Sequence, residues 1–355
     1  MRPQMLGYGF LLVTLIILER FRQGNTAALW WLPPLFLVWV NTHPSFPFGL
    51  LALGVYWASG LVKVHQGEIE SRLWTAGERL RLEGVALLSL IALTLTPYGA
   101  ELCRYPFNLA SAQPLGVGNL QEWQSMSFEH GYGLLFLALL LAFGLAQITL
   151  RPTWRLEDLL LFFIGITAAC VHVRFLLVFV PFSAPLLGLV AARWFPPYHA
   201  AGDKYALNAS LMALALAAMV WTAPSRTELE RATERTWPVR AVAYLKQHPV
   251  PRPMYNTYRY GGYLIWQLDE GNKVFIDGRA DIYERSGVLA DYLQISRLAP
   301  ATPFLLDAYG VKSCLIAHDE ALATLLAYSW RWQKVYSDDL SVLFVRREGK
   351  IDAKP

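Results

Sequence analysis

The chain has 355 residues, of which 55% are hydrophobic and only 16% are charged, with a formal net charge of +4. Soluble domains carry roughly 25% charged residues, so this composition excludes a chain that is soluble along its whole length. The positive charge does not indicate nucleic-acid binding, because no basic cluster with interleaved aromatic residues is present. The charge deficit is also uneven, since residues 1–223 hold long apolar runs and residues 224–355 have ordinary polarity.

The apolar runs predict a bundle of about eight membrane-embedded helices. The predicted helices lie at 5–19, 27–41, 47–63, 84–98, 131–150, 157–173, 175–192 and 206–223. Pro44 and Pro47 interrupt the second and third of these runs, because proline removes a backbone donor and clashes with the preceding turn. That region is either two crossings or a re-entrant hairpin. The first run lacks a small-residue cleavage site, so it is interpreted as a retained span.

The positive charges in the short loops predict the orientation. One set of alternate loops contains ten Lys and Arg residues: Arg20, Arg22, Lys63, Arg72, Arg79, Arg81, Arg151, Arg155, Arg193 and Lys204. The other set contains Arg104 and Arg174, with Arg2 at the chain start. The positive-inside rule assigns the first set to the cytoplasm. The 99–130 loop and the C-terminal domain are then extracytoplasmic, on a multi-pass protein of the cytoplasmic (inner) membrane.

This orientation also puts the first residue outside. Either the chain is the C-terminal part of a longer membrane protein, or its first apolar run is not a span. We keep both readings as expectations.

The C-terminal third predicts a small α/β domain, giving a fold class of polytopic helical bundle followed by an extracytoplasmic α/β domain. A polar neck at 224–238 precedes a domain at 239–348, and residues 349–355 are predicted to be a disordered tail. An amphipathic helix is predicted at 240–248, before a cluster of prolines. Strands are predicted at 253–258, 273–279, 313–319, 332–338 and 341–347, and helices at 286–297, 302–309 and 319–328.

Several phrases carry a family resemblance. They are WVNTHPSF at 39–46, TPYG at 96–99, QEW at 121–123, HVR at 172–174, GGYLIW at 261–266 and DGRADIY at 277–283. The chain resembles bacterial membrane proteins of the GT-C glycosyltransferase superfamily. The stretch 239–283, with Tyr260, Gly261, Gly262 and Tyr263, resembles the extracytoplasmic domain of the oligosaccharyltransferase catalytic subunit. Thr257, Tyr258 and Arg259 stand where that family has Trp-Trp-Asp.

The resemblance implies transfer of a sugar from a polyprenyl-phosphate carrier at the outer membrane face. In that reading the bundle supplies a lipid groove, and the partners are membrane lipid and a polyprenyl-phosphate-linked sugar. A divalent cation such as Mg²⁺ or Mn²⁺ is a candidate cofactor. A hypothesis from another class is a non-catalytic membrane protein whose outward domain binds a partner in an envelope complex.

Two polar pairs interrupt apolar runs at outward ends. Asn41 and His43 precede the Pro44 break, and His172 and Arg174 lie between two apolar helices. We interpret these four residues as a candidate lipid-phosphate site, because arginine gives bidentate phosphate contacts. The structural alternatives are a helix end that satisfies its own carbonyls, and side chains that extend toward the interface.

Two further groups are candidates. Glu122, Glu129 and His130 lie in the 99–130 loop and suit a general base or a hard divalent cation. The alternative is a solvated loop. Asp277, Arg279 and Asp281 follow a predicted strand end, where α/β sheets place ligands, or form a structural turn near Gly261 and Gly262. Asp277 and Arg279 are expected to pair with each other or with Arg259.

Overall fold

The computed structural model describes residues 4–111, 114–119, 123–129, 131–194, 203–268 and 271–347. The chain divides into two compact units, which are described separately: unit 1 is Met1–Ala200 and unit 2 is Ala201–Pro355. The division falls before the predicted end of the bundle at residue 223. The last predicted span therefore belongs to unit 2.

Unit 1 is helical, with a small three-stranded sheet. Its helices are α1 (Gln4–Arg22), α2 (Leu32–Val40), α3 (Phe46–Ser59), α4 (Ala76–Ala92), α5 (Ala100–Ser111), α6 (Pro114–Asn119), α7 (Gly131–Leu150), α8 (Leu156–Val171) and α9 (Leu176–Trp194). Its strands are β1 (His65–Gln66), β2 (Ile69–Glu70) and β3 (Trp154–Arg155). Strand β2 pairs antiparallel with β1 and parallel with β3, which joins two predicted cytoplasmic loops.

The helix ends follow local chemistry more closely than hydropathy. Helix α7 has the predicted bounds 131–150. Helix α4 begins at Ala76 instead of the predicted 84, because Thr75 and Glu78 form a capping box that starts the helix in polar sequence. The predicted helix at 27–41 begins as a 3-10 turn over Thr26–Trp31 before α2.

Among the described residues, three helices are long and apolar enough to cross a membrane, which is fewer than the eight predicted. They are Gln4–Arg22, Gly131–Leu150 and Val173–Arg193. The apolar helices Thr26–Val40 and Phe46–Ser59 are shorter than a full span. In unit 2, Tyr205–Trp221 and Arg226–Thr236 meet the criterion only as a pair, bent by 56°.

The core of unit 1 is built on one face of α1. Leu11, Leu18 and Phe21 are buried there and belong to the same core cluster as Trp39 of α2. Gly49 of α3 admits this indole, because a Cβ at that position would lie 2.5 Å from a Trp39 ring atom. The glycine therefore lets α2 and α3 pack closely.

Unit 2 combines helices with one four-stranded sheet in the order β4-β5-β7-β6. Its helices are α10 (Tyr205–Trp221), α11 (Arg226–Thr236), α12 (Val239–Gln247), α13 (Gly261–Gln267), α14 (Ala280–Arg285), α15 (Val288–Ser296), α16 (Thr302–Ala308) and α17 (Ala321–Tyr328). Its strands are β4 (Met254–Asn256), β5 (Ser313–Ala317), β6 (Trp332–Ser337) and β7 (Ser341–Arg346). Strand β4 is parallel to β5, and β5, β7 and β6 are antiparallel neighbours. Four of the five predicted strands are present.

The predicted strand at 273–279 is wrong. This segment lies beside β4 but is held by the buried side chain of Asn256 instead of a backbone ladder. The Asn256 Oδ1 accepts from the Phe275 N–H at 2.8 Å, and its Nδ2 donates to the Ile276 carbonyl at 2.9 Å. A side-chain amide has the same donor and acceptor as a peptide group, so it replaces one rung of a sheet.

We predict that Asn256→Ala destabilises unit 2. The substitution leaves the Phe275 N–H and the Ile276 carbonyl without this partner, which costs roughly 2 kcal/mol or more. Hydrogen exchange of the full-length protein, read by mass spectrometry over 273–277, should accelerate. Gln247→Ala is the control, since that side chain is exposed at the end of α12. Equal exchange in the two variants would contradict the bridging role.

Candidate functional site

The His172–Arg174 turn is anchored by a segment of the 99–130 loop. Residues 173–175 form a 3-10 turn between α8 and α9. The Trp123 carbonyl lies 2.5 Å from His172 Nδ1, and the Val173 N–H donates to the Gln124 carbonyl at 3.0 Å. The Arg174 guanidinium lies 4.6 Å from the centre of the Trp123 ring. This cation–π contact keeps the cation at the end of the helices.

The His43 turn is fixed by three hydrogen bonds. The Trp39 indole N–H donates to Ser45 Oγ at 3.0 Å, and the Ser45 N–H donates to His43 Nδ1 at 3.2 Å. The Ser45 hydroxyl also lies 2.9 Å from His43 Nδ1. A neutral imidazole that accepts at Nδ1 carries its proton on Nε2, so His43 can donate a hydrogen bond to an anion.

These two turns meet at one small cavity. His43, Ser45 and Arg174 line a space of about 40 Å³ together with Gln4 and Tyr8 of α1. None of its described lining residues is acidic. The volume admits about one water molecule. A phosphate would therefore bind at its mouth, where His43 and Arg174 are both partly exposed. We call this set of residues the His43–Arg174 cavity.

Gly7 of α1 lies next to this cavity. A Cβ added at Gly7 would lie 2.2 Å from Ser45 Oγ and 3.2 Å from His43 Nδ1. The polar turn therefore packs directly on the backbone of α1.

Asn41 does not line the cavity. Its amide donates to the Leu37 carbonyl at 2.8 Å and to the Leu95 carbonyl at 3.3 Å. Asn41 therefore satisfies the free carbonyl groups near a helix end, which is the structural alternative given above.

The acidic group of the 99–130 loop is described only in part. Glu122 and His130 lie outside the described residues, and Glu129 is exposed. Among the residues that the structure describes, no group of three or more His, Cys, Asp or Glu side chains could hold a metal ion.

In unit 2, the Asp277 carboxylate is buried and accepts hydrogen bonds from Arg279 and Tyr283. It accepts from the Arg279 backbone N–H at 2.9 Å, from the Arg279 guanidinium at 2.5 and 2.9 Å, and from the Tyr283 hydroxyl at 2.8 Å. Burial raises the pKa of Asp277, but the hydrogen bonds from Arg279 and Tyr283 outweigh it and hold the pKa below its ordinary value. Arg259 pairs instead with Asp319 at 3.4 Å, and Asp281 lies in the first turn of α14.

The Tyr-Gly-Gly-Tyr turn packs against this carboxylate. A Cβ at Gly261 would lie 2.0 Å from the Ile276 carbonyl oxygen and 2.7 Å from the Asp277 Cα. The Tyr260 hydroxyl donates to the Leu340 carbonyl at 2.8 Å, and the Tyr263 ring stacks on Trp237 with centroids 5.8 Å apart. These contacts are those of a structural turn.

Sequence reasoning missed a cluster of charged residues where α1, α3 and α8 approach one another. Glu157 and Asp158, at the start of α8, are 2% and 1% exposed. Arg22 contacts Glu157 at 2.5 Å, and Arg155 contacts Glu19 at 2.9 Å. The signal was available in two adjacent acidic residues that open an apolar run.

The comparisons with known proteins do not assign the chain to a family. No protein-family model matches it, and no curated protein matches it. The class that the fold defines is a helical unit with long apolar helices joined in sequence to a unit with an α/β sheet.

We predict that Gly261→Ala and Gly262→Ala differ sharply. The first places a methyl group against the backbone of Ile276 and Asp277, and such overpacking costs roughly 1–3 kcal/mol. The second meets nothing within 4 Å and removes the flexibility of a helical glycine. Thermal unfolding of the full-length protein should show a lower Tm for Gly261→Ala only. Similar Tm values would show that the close approach is relieved without cost.

Proposed function

We propose that the chain is an integral membrane protein of the cytoplasmic membrane, with unit 2 on the extracytoplasmic side. The apolar surface of its helices supports this. Leu135 and Ile148 of α7 and Met212 of α10 are each 73% or more exposed. Helix α10 has no buried residue despite its apolar sequence. Apolar surface costs about 25 cal/mol per Å² in water and nothing comparable in lipid.

The distribution of loop contacts supports the sidedness. Arg72 donates to the Arg22 carbonyl at 2.8 Å, and the Trp154 N–H donates to the Glu68 carbonyl at 2.6 Å. Three of the cation-rich loops are thus gathered at the C-terminal end of α1. The His43–Arg174 cavity contacts Gln4 at its N-terminal end. Nineteen residues of helix separate the two ends by roughly 28 Å, about the thickness of a hydrocarbon core.

Within that membrane protein, we propose a GT-C-like transferase that uses a polyprenyl-phosphate sugar donor at the outer face. The observation that carries the proposal is that His43 and Arg174, 131 positions apart in the chain, line one cavity at the predicted outward end. Arg174 would bind the carrier phosphate through its guanidinium, and His43 would donate from Nε2. The sequence phrases that resemble those of GT-C proteins suggest the reaction class, which is an argument from analogy.

The alternative is a membrane protein whose unit 2 binds a partner without catalysis. Two observations favour it. Unit 2 exposes large aromatic side chains, with Phe304, Tyr328 and Trp330 each at least 76% exposed. The Asp277 carboxylate also has its hydrogen bonds filled by Arg279 and Tyr283, so it is poorly placed to act on a substrate.

We predict that Arg174→Ala weakens binding of polyprenyl phosphate by at least about tenfold, because a charge-assisted hydrogen bond is lost. The measurement is titration of the purified full-length protein with a fluorescent polyprenyl phosphate. Arg104→Ala is the matched control, since Arg104 is an exposed arginine on the same predicted side. Arg174→Lys should recover part of the affinity. If Arg174→Ala binds like the control, the cavity does not hold the carrier phosphate.

We predict that a cysteine at position 328 reacts with a membrane-impermeant maleimide from outside intact spheroplasts. Tyr328 is 89% exposed, so Tyr328→Cys should be accessible. The control is Glu68→Cys, in a predicted cytoplasmic loop, which should react only after lysis. Both variants are made in a background without Cys103, Cys170 and Cys314. The opposite labelling pattern would show that unit 2 faces the cytoplasm and would exclude a transferase at the outer face.

A further inference from the structure

A second cavity of unit 1 lies far from the His43–Arg174 cavity, beside the C-terminal end of α1. Its volume is about 530 Å³. One wall is apolar and comes from α1 and α9, including Leu12, Ile16, Pro185 and Leu189. The rest of its lining is polar, namely Glu19, Arg20, Gln23, Tyr56, Arg155 and Asp158. A cavity with one apolar wall and one charged region fits an amphiphile.

The carboxylate of Asp158 is the feature that indicates a ligand. Its residue is 1% exposed, and neither oxygen has a hydrogen-bond partner among the residues that the structure describes. The nearest cation is Arg155, whose guanidinium lies 4.0 Å away and is already held by Glu19 at 2.9 and 3.0 Å. A buried carboxylate without hydrogen bonds is strongly unfavourable unless a cation or a donor reaches it.

Among the described residues, the close ion pairs around the cavity leave one carboxylate, Asp158, and one guanidinium, Arg20, outside them. Glu19 pairs with Arg155, and Glu157 pairs with Arg22 at 2.5 Å. Asp158 is the third carboxylate of the cluster. Arg20 is exposed at the same cavity and is the cation nearest the solvent. A ligand that fits this pattern brings an ammonium for Asp158 and an anion for Arg20.

We propose that this cavity binds an aminophospholipid of the cytoplasmic leaflet. The ammonium head group would contact the Asp158 carboxylate, Arg20 would contact the phosphate, and an acyl chain would lie along Leu12, Ile16 and Leu189. The inference rests on the membrane embedding and orientation proposed above, and it is independent of sugar transfer.

The test uses purified, delipidated full-length protein and native mass spectrometry. The probes are phosphatidylethanolamine and phosphatidylglycerol with the same acyl chains, so the pair differs in the presence of the ammonium. Wild-type protein should retain phosphatidylethanolamine at least about tenfold more strongly, as expected for a charge-assisted hydrogen bond in a buried site. Equal retention of the two lipids would overturn the proposal.

Two variants locate the site. Asp158→Asn keeps the shape of the side chain and removes its charge, so it should abolish the preference. Glu70→Gln, an exposed carboxylate in the small sheet, is the matched control and should keep it. Unchanged preference in Asp158→Asn would show that the carboxylate is held in its protonated form and binds no ammonium.

A second change acts on the apolar wall alone. Gly188 lines the cavity, and a Cβ there meets nothing within 4 Å, so Gly188→Leu adds apolar volume at a position that accepts a Cβ. It should reduce retention of phosphatidylethanolamine while the protein remains folded, and full retention would place the lipid elsewhere. Arg174→Ala should leave this binding intact, so the lipid site and the carrier-phosphate site can fail separately.

Discussion

Helix α1 is the element on which both polar clusters of unit 1 depend. Its buried face, with Leu11, Leu18 and Phe21, packs into the main core. Its first turns meet the His43 turn at a distance that only Gly7 permits. Its last turns carry Glu19 and Arg22, which pair with residues around the start of α8. A straight helix therefore fixes the separation of two charged regions that lie far apart in sequence.

Hydropathy predicts the interior of the helices well and their ends poorly. The bounds of α7 agree because polar sequence flanks a uniform apolar run. The start of α4 was missed because a capping box begins it among charged residues, where no apolar signal exists. The strand at 273–279 was predicted from β-branched and aromatic content, but the Asn256 amide replaces the backbone ladder there. This replacement of backbone hydrogen bonds by one buried side chain leaves no periodic signal in the sequence.

The candidate sites were also predictable only in part from the sequence. His43 and Arg174 were identified from sequence because polar residues that interrupt apolar runs are expensive and therefore informative. That the two line one cavity could not be predicted, since it depends on the packing of α1 between their turns. The role of Trp123 was also beyond the sequence, because its contact with Arg174 joins a loop to a helix end. The sequence left two pairings open for Asp277 and Arg279, with each other or with Arg259. The structure pairs Asp277 with Arg279, and Arg259 forms its ion pair with Asp319.

The two ends of unit 1 differ in the charges that they present to a ligand, and this bears on the class of ligand at each. The His43–Arg174 cavity has no acidic residue in its described lining, so it favours an anion. The cavity at the opposite end is lined by two carboxylates and two guanidinium groups, and the Asp158 carboxylate has no hydrogen-bond partner among the described residues, so it suits a ligand that carries both charges. Burying a charge without a partner is unfavourable near lipid, so the Asp158 carboxylate would disfavour a ligand that carries only a phosphate. Under the two proposals, a carrier phosphate and an ammonium head group would bind at opposite ends of one helix.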